Sequence, residues 1–168
     1  MNAQKTGRAM MFMACVLGLA LLTMFFSSAL ERQRNPNQNP VTKSGDGVVE
    51  VVLQRNRQGH YVLTGMINGR SVEFLLDTGA TDVVLPEAIA TQLGLEAGRA
   101  GRAMTANGTV TVYETRLNHL QLGDIRLSNV RASINPAMPS PAILLGMSAL
   151  KQIEFVQRGD TLTLRQYR

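Results

Sequence analysis

The stretch FLLDTGATDVVLP, residues 74–86, sets three apolar residues directly before one carboxylate and starts a second apolar run shortly after it. An acid delivered by an apolar strand into a turn of small residues needs a reason, because an ionised carboxylate taken from water without partners is costly. Asp77 is either a turn residue whose side chain hydrogen-bonds its own loop, or an acid held in place for chemistry. The residues around it decide between the two.

Immediately upstream, RSVEFLL places Val72, Phe74 and Leu76 on one face, and Asn68-Gly69 before it is a two-residue hairpin signal. That hairpin joins back to HYVLTGMI (60–67), which a turn at Gln58-Gly59 separates from VVEVVLQ (48–54). Downstream, Pro86 suits the first helical position of PEAIATQL and Gly94 suits its stop. A further Asn-Gly pair, Asn107-Gly108, lies between AMTA and TVTVY. Leu120 and Leu122 alternate before Gly123-Asp124, followed by Ile125, Leu127, Val130, Ala132 and Ile134. The chain closes with AILL, a short helical stretch MSALKQ (147–152), IEFVQ, a turn at Arg158-Gly159-Asp160, and TLTLR. Many short strands with glycine turns predict an all-β fold, a small closed barrel with one or two short helices. No repeat of 20–50 residues interrupts this pattern.

The first 46 residues have a different character. Residues 9–30 are 22 uncharged and mostly apolar residues, long enough to cross a hydrocarbon layer of about 30 Å as one helix. The expected organisation is a short basic tail (1–8), a transmembrane signal-anchor (9–30), a polar linker (31–46) and a body (47–168). Ser27-Ser28-Ala29 offers small residues at signal-peptidase spacing, but the apolar stretch exceeds the usual length of a removable signal. Lys5 and Arg8 precede the helix while Arg32, Arg34 and Lys43 follow it, so the charge bias is weak. The simpler topology keeps the tail cytoplasmic and exports the body, which in a bacterium means the inner membrane with a periplasmic domain.

Charge and composition exclude several classes. Residues 1–44 carry five Lys/Arg and one Glu, whereas 45–168 carry twelve Lys/Arg against eleven Asp/Glu. The basicity belongs to the membrane flanks, so the body lacks the footprint of a nucleic-acid binder. The single cysteine, Cys15, lies in the apolar segment and permits no disulfide framework. Only His60 and His119 could ligate a metal by imidazole, and they are far apart in sequence, so no metal is expected. Gly146-Met147-Ser148-Ala149 lacks the second glycine of a nucleophile elbow, and no glycine-rich phosphate loop occurs. Asp77 remains. A second apolar strand ending in glycine, Ile143-Leu144-Leu145-Gly146, begins 66 residues after it and leads into the short helix.

At these residues the chain resembles a known family. FLLDTGAT followed by VVLP and a later ILLG is similar to the single-domain retroviral-type (retropepsin-like, clan AA) aspartic proteases. GHYVLTGMINGRSVEFLLDTGATDVVLP, TANGTV and ILLGMSAL bring it closer still to their membrane-anchored bacterial branch. The resemblance covers roughly residues 48–166. It implies an aspartic endopeptidase acting as a homodimer through the active site on a peptide or protein substrate, with no cofactor. Catalysis would fall to Asp77, paired at a two-fold axis with its copy. Thr78, Gly79 and Ala80 would form the active-site loop. The flap would lie at Thr105, Ala106, Asn107 and Gly108, with Thr81 and Asp82 as further candidates for contact with substrate. Ile143, Leu144, Leu145 and Gly146 would be the supporting motif. Two positions depart from the viral pattern: Thr81 stands where those enzymes commonly carry Asp, and Met147 where they carry Arg. The dimer ion pairs those residues form would be missing together. The alternative expectation is a non-catalytic peptide-binding or scaffolding module on the same barrel, using the cleft for strand addition.

Overall fold

The computed structural model describes residues 3–105 and 108–167. Helix α1 (Ala3–Arg34) leads into β1 (Val41–Gly45), β2 (Val48–Gln54), β3 (Val62–Ile67), β4 (Arg70–Leu76), β5 (Val83–Pro86) and α2 (Glu87–Leu93). There follow β6 (Ala100–Thr105), β7 (Gly108–Leu122), β8 (Ile125–Asn135), β9 (Ile143–Leu145), α3 (Met147–Leu150), β10 (Glu154–Arg158) and β11 (Thr161–Tyr167). The all-β body and the N-terminal apolar helix both match the expectation from sequence.

The strands form two sheets, ordered β1-β2-β11-β10 and β3-β4-β9-β5-β8-β7-β6. In the larger sheet β3 also pairs with β7, through Met66↔Gln121 and Ile67↔Leu120, which closes a barrel and leaves β6 as a projecting hairpin partner of β7. Closure removes the exposed edges that an open sheet would present. The interior is filled by alternating strand residues, among them Leu53, Leu63, Phe74, Leu85, Leu117, Leu122 and Ile143, all fully buried.

Local chemistry sets the turns. Asn68 and Gly69 both take positive φ, 50° and 79°, the conformation that a two-residue I′ hairpin requires and that this dipeptide tolerates. Gly94 caps α2 in the left-handed region at φ 68°, as expected. Pro86 differs slightly from its expected place. It ends β5 in extended conformation and sits just before the helix instead of within it, where its φ of −60° suits the extended entry to the first turn.

The segment expected to be a linker is structured instead. Helix α1 runs unbroken to Arg34, and β1 pairs antiparallel with β2 from Val41↔Val52 to Gly45↔Val48. Between them Asn35 and Asn37 are only 2% and 4% exposed. The Asn37 side chain accepts from the Gln54 N–H (2.7 Å) and donates to the carbonyls of Gln54 (2.9 Å) and Val62 (2.7 Å). Its backbone carbonyl accepts from the Thr64 N–H at 3.1 Å. One asparagine therefore bridges β2 of one sheet and β3 of the other with every side-chain group satisfied, which is the condition for burying it.

Candidate active site

Strand β4 delivers Leu76 to the core edge and Asp77 just beyond it. The hydrogen bonding then explains why the chain turns here. Strand β9 runs parallel to β4 (Leu75↔Leu144, Leu76↔Leu145) and also pairs with β5 at Val84↔Leu144. It is thus inserted between two strands that are consecutive in the chain, and the connection from residue 77 to residue 82 must arch over its end. Gly146 lies at that end. A Cβ there would sit 2.0 Å from the Asp82 carbonyl oxygen and 2.7 Å from that of Ala80. Its own φ of −89° is open to any residue, so glycine is required for space and not for conformation.

The arch is clamped by backbone groups. The Asp77 N–H donates to Leu145 O (3.2 Å), and the Met147 and Ser148 N–H groups donate to the carbonyls of Ala80 (2.8 Å) and Thr81 (2.9 Å). These two donors belong to the first turn of α3, where a helix has no internal partner for them. The ILLG motif and the turn after it therefore hold the Asp77 loop directly. Within the loop, Asp77 Oδ1 accepts from the Gly79 N–H at 2.9 Å. A Cβ on Gly79 would come within 3.2 Å of the same oxygen, so glycine keeps the carboxylate uncrowded. Asp77 is half-buried, Thr78 and Gly79 are exposed, and Ala80 is half-buried. The acid is thus fixed at its backbone, with one carboxylate oxygen bonded inside the loop.

Two residues that the sequence did not point to as supports complete the clamp. Ser148, 3% exposed, accepts from the Val83 N–H (3.0 Å) and donates to the Arg131 carbonyl (2.7 Å). The hydroxyl that makes a poor nucleophile elbow is committed to joining α3, β5 and β8. Arg131 Nε in turn donates to Asp82 Oδ1 at 2.7 Å. The pair is 55% and 25% exposed at its side chains, so its energetic weight is modest, but it ties the end of the arch to β8. The acid one position beyond Thr81 is thereby engaged within the same chain.

The remaining candidates fall in two places. Thr105 and Gly108 pair across the β6–β7 hairpin, where Thr105 Oγ1 donates to Gly108 O at 2.8 Å; Ala106 and Asn107 lie outside the described residues. Ile143 and Leu145 are fully buried and Leu144 is half-buried in β9. His60 and His119 are exposed and use backbone N–H groups to bond Asn56 and Asn68. An open groove of about 600 Å³ lies elsewhere, between the Gly94–Arg99 turn and β7 and β8, and Asp77 does not line it.

An acid at the end of an apolar strand, arched over a hydrophobic-hydrophobic-Gly strand in a small β-barrel, defines the single-domain acid-protease fold. Residues 63–152 match the family described as "gag-polyprotein putative aspartyl protease", and the chain belongs to that family. Among solved structures, a retropepsin-like aspartic protease from Rickettsia conorii is similar at a TM-score of 0.60 and 29% identity, covering 76% of this chain and 95% of that one. An uncharacterized protein from the cobV 5′ region of a Sinorhizobium species is 32% identical over 77% of this chain. An uncharacterized protein of Rickettsia prowazekii is 26% identical over 76% of it. The matched stretch spans 58% and 56% of those two relatives.

Proposed function

We propose that this chain is a membrane-anchored aspartic endopeptidase that works as a homodimer. The observation that carries the reading is the Asp77 loop, held from below by the Met147 and Ser148 N–H groups over a space that only a glycine at 146 leaves free. The clamp holds the backbone of the whole arch, beyond the Gly79-to-Oδ1 bond that a turn residue makes for itself. It is what a reacting group needs, because preorganised geometry lowers the barrier.

One chain supplies one such acid, and the chemistry needs two. Two copies of Asp77 meeting at a two-fold axis would lie about 3 Å apart, too close for both to ionise, and would titrate as a pair sharing one proton. The ionised partner takes a proton from a water as it attacks the peptide carbonyl, and the protonated partner donates to the carbonyl oxygen. The tetrahedral intermediate then collapses with proton transfer to the leaving amine. Thr78, exposed beside Asp77, braces the loop against its copy, and the β6–β7 hairpin closes over an extended substrate. Thr81 and Met147 stand in place of the charges that viral enzymes use between protomers, so anchoring in one bilayer supplies the effective concentration for pairing. The anchor is residues 9–30, in a bacterial inner membrane with the body on the periplasmic side. The bacterial relatives support a bacterial membrane, and the orientation follows the simpler topology, a short tail left in the cytoplasm.

The test is hydrolysis of a peptide library by the full chain in detergent, from acidic to neutral pH, beside Asp77→Asn. Loss of cutting by about 10²–10⁴-fold or more in the variant is expected. Equal cutting by Asp77→Asn would sink the mechanism, and a folded dimer that binds peptides and cuts none would favour the binding module.

A further inference from the structure

The joint between helix and body carries information about the substrate. Helix α1 continues through Arg34 with its last turn closed by Asn35 N–H to Glu31 O at 2.8 Å. The body then grips that end. Asn56 Nδ2 donates to the Arg34 carbonyl (2.9 Å), an orphan acceptor of the helix C-terminus. Arg34 ion-pairs with Glu73. Asn35 Nδ2 donates to Thr64 Oγ1 (3.1 Å) and Glu73 Oε2 (3.2 Å), and Asn37 then bridges β2 and β3 as described. Every residue from Arg34 to Asn37 except Pro36 is thus bonded to the body through a side chain or a carbonyl. Residues 31–34 continue the helix, and the body bonds its end directly.

From this joint we infer that the cleft is held at a fixed, short height above the bilayer and takes membrane-attached polypeptides as substrate, cut in the segment next to the membrane. The inference rests on the proteolytic reading and on the anchor at residues 9–30. Its arithmetic is short. Between the apolar run and the body stand residues 31–34, one helical turn or about 6 Å. A body of this length is roughly 37 Å across, so no point of it lies more than about 45 Å from the membrane surface. A peptide bond in a chain anchored in the same bilayer, within that height, meets the cleft at a high effective concentration. Bonds in distant domains lie outside its reach.

The experiment uses the full chain in liposomes with a cleavable sequence carried on lipid-anchored polyproline rods, which rise about 3.1 Å per residue. Rods of about 20, 40 and 80 Å are compared with the same sequence free in solution. Cutting at least about tenfold faster on the two short rods than on the long one is expected at equal total peptide. A flexible Gly/Ser insertion of about 20 residues after Leu30, which leaves the joint intact, adds a mean reach of about 25 Å and should flatten that profile. Energy transfer from a dye at Arg57→Cys, in a Cys15→Ala background, to a lipid dye measures height without any turnover, and should fall with the insertion. If the long rod and the free peptide are cut as fast as the short rods, the inference is overturned and the proteolytic reading stands. Equal energy transfer with and without the insertion overturns the fixed joint. If nothing is cut while the height responds as expected, it is the proteolytic reading that fails, and this substrate class with it.

Discussion

Replacing Ser148 with Ala removes one oxygen and tests the clamp at a buried point. The hydroxyl accepts the N–H of Val83, which is 0% exposed, and donates to the Arg131 carbonyl. Alanine fills almost the same space, so no cavity term of consequence arises. The cost comes from the Val83 N–H, left without an acceptor inside the barrel, at about 1–3 kcal/mol; the Arg131 carbonyl also loses its donor. A loss of about 2 kcal/mol follows, which in a body of this size lowers Tm by about 6–10 °C. The assay is thermal and urea unfolding of the full chain in detergent, followed by tyrosine emission because the chain has no tryptophan. Ser128→Ala, on the exposed face of β8, is the control and should stay within about 0.5 kcal/mol of wild type. Turnover in Ser148→Ala should fall through kcat more than through KM, since the loop carrying Asp77 loosens while the substrate groove keeps its residues. A Ser148→Ala protein as stable as the Ser128→Ala control would refute the claim that this hydroxyl holds the arch.

Gly146→Ala should unfold the arch or cost at least about 3 kcal/mol, whereas Gly101→Ala on β6, whose Cβ would meet nothing within 4 Å, should be neutral or slightly stabilising; paired melting curves decide. Mixing equal amounts of wild type and Asp77→Asn before dimer assembly should leave about a quarter of the activity if each site needs two acids; a fall to only half would argue for independent chains. Arg131→Gln should change stability by less than about 1 kcal/mol, because the Arg131 side chain is 55% exposed and the pair is screened from that side, and a much larger drop in the urea midpoint would contradict that ranking. The Tyr167 phenol, donating to Glu154 at 2.6 Å, is raised above its ordinary value of 10.0 chiefly by that hydrogen bond. Its contribution is therefore complete below pH 10 and lost as pH rises through the raised value. Tyr167→Phe should remove that alkaline loss, as pH-dependent unfolding would register.

What could be read from the sequence was whatever is written locally. The period-2 alternation of Val72, Phe74 and Leu76, the Asn68-Gly69 turn, the Gly94 stop and the apolar run 9–30 each reflect forces acting within a few residues. Asp77 and the ILLG strand were also legible, because a recurring motif preserves their spacing even though 66 residues separate them. Asn35 and Asn37 were not legible. Asn, Gln and Pro look alike whether they solvate a linker or satisfy backbone groups inside a barrel, and only the partners, at Gln54, Val62 and Thr64, tell the two apart. Arg131 failed for a related reason: its bond to Asp82 spans 49 residues and leaves no periodicity. Ser148 was noticed for the chemistry it lacks, while its structural task depends on a carbonyl and an N–H from two other strands.

The insertion of β9 between β4 and β5 also imposes an order of events. The arch over residues 77–82 cannot close until residues 143–148 exist to fill the space beneath it and bond its carbonyls. Such pairing across a long stretch of chain is slow to form. A nascent chain that has not yet reached residue 143 therefore has nothing to hold the Asp77 loop in place. The loop around Asp77 takes its folded form only after β9 and the first turn of α3 have docked beneath it.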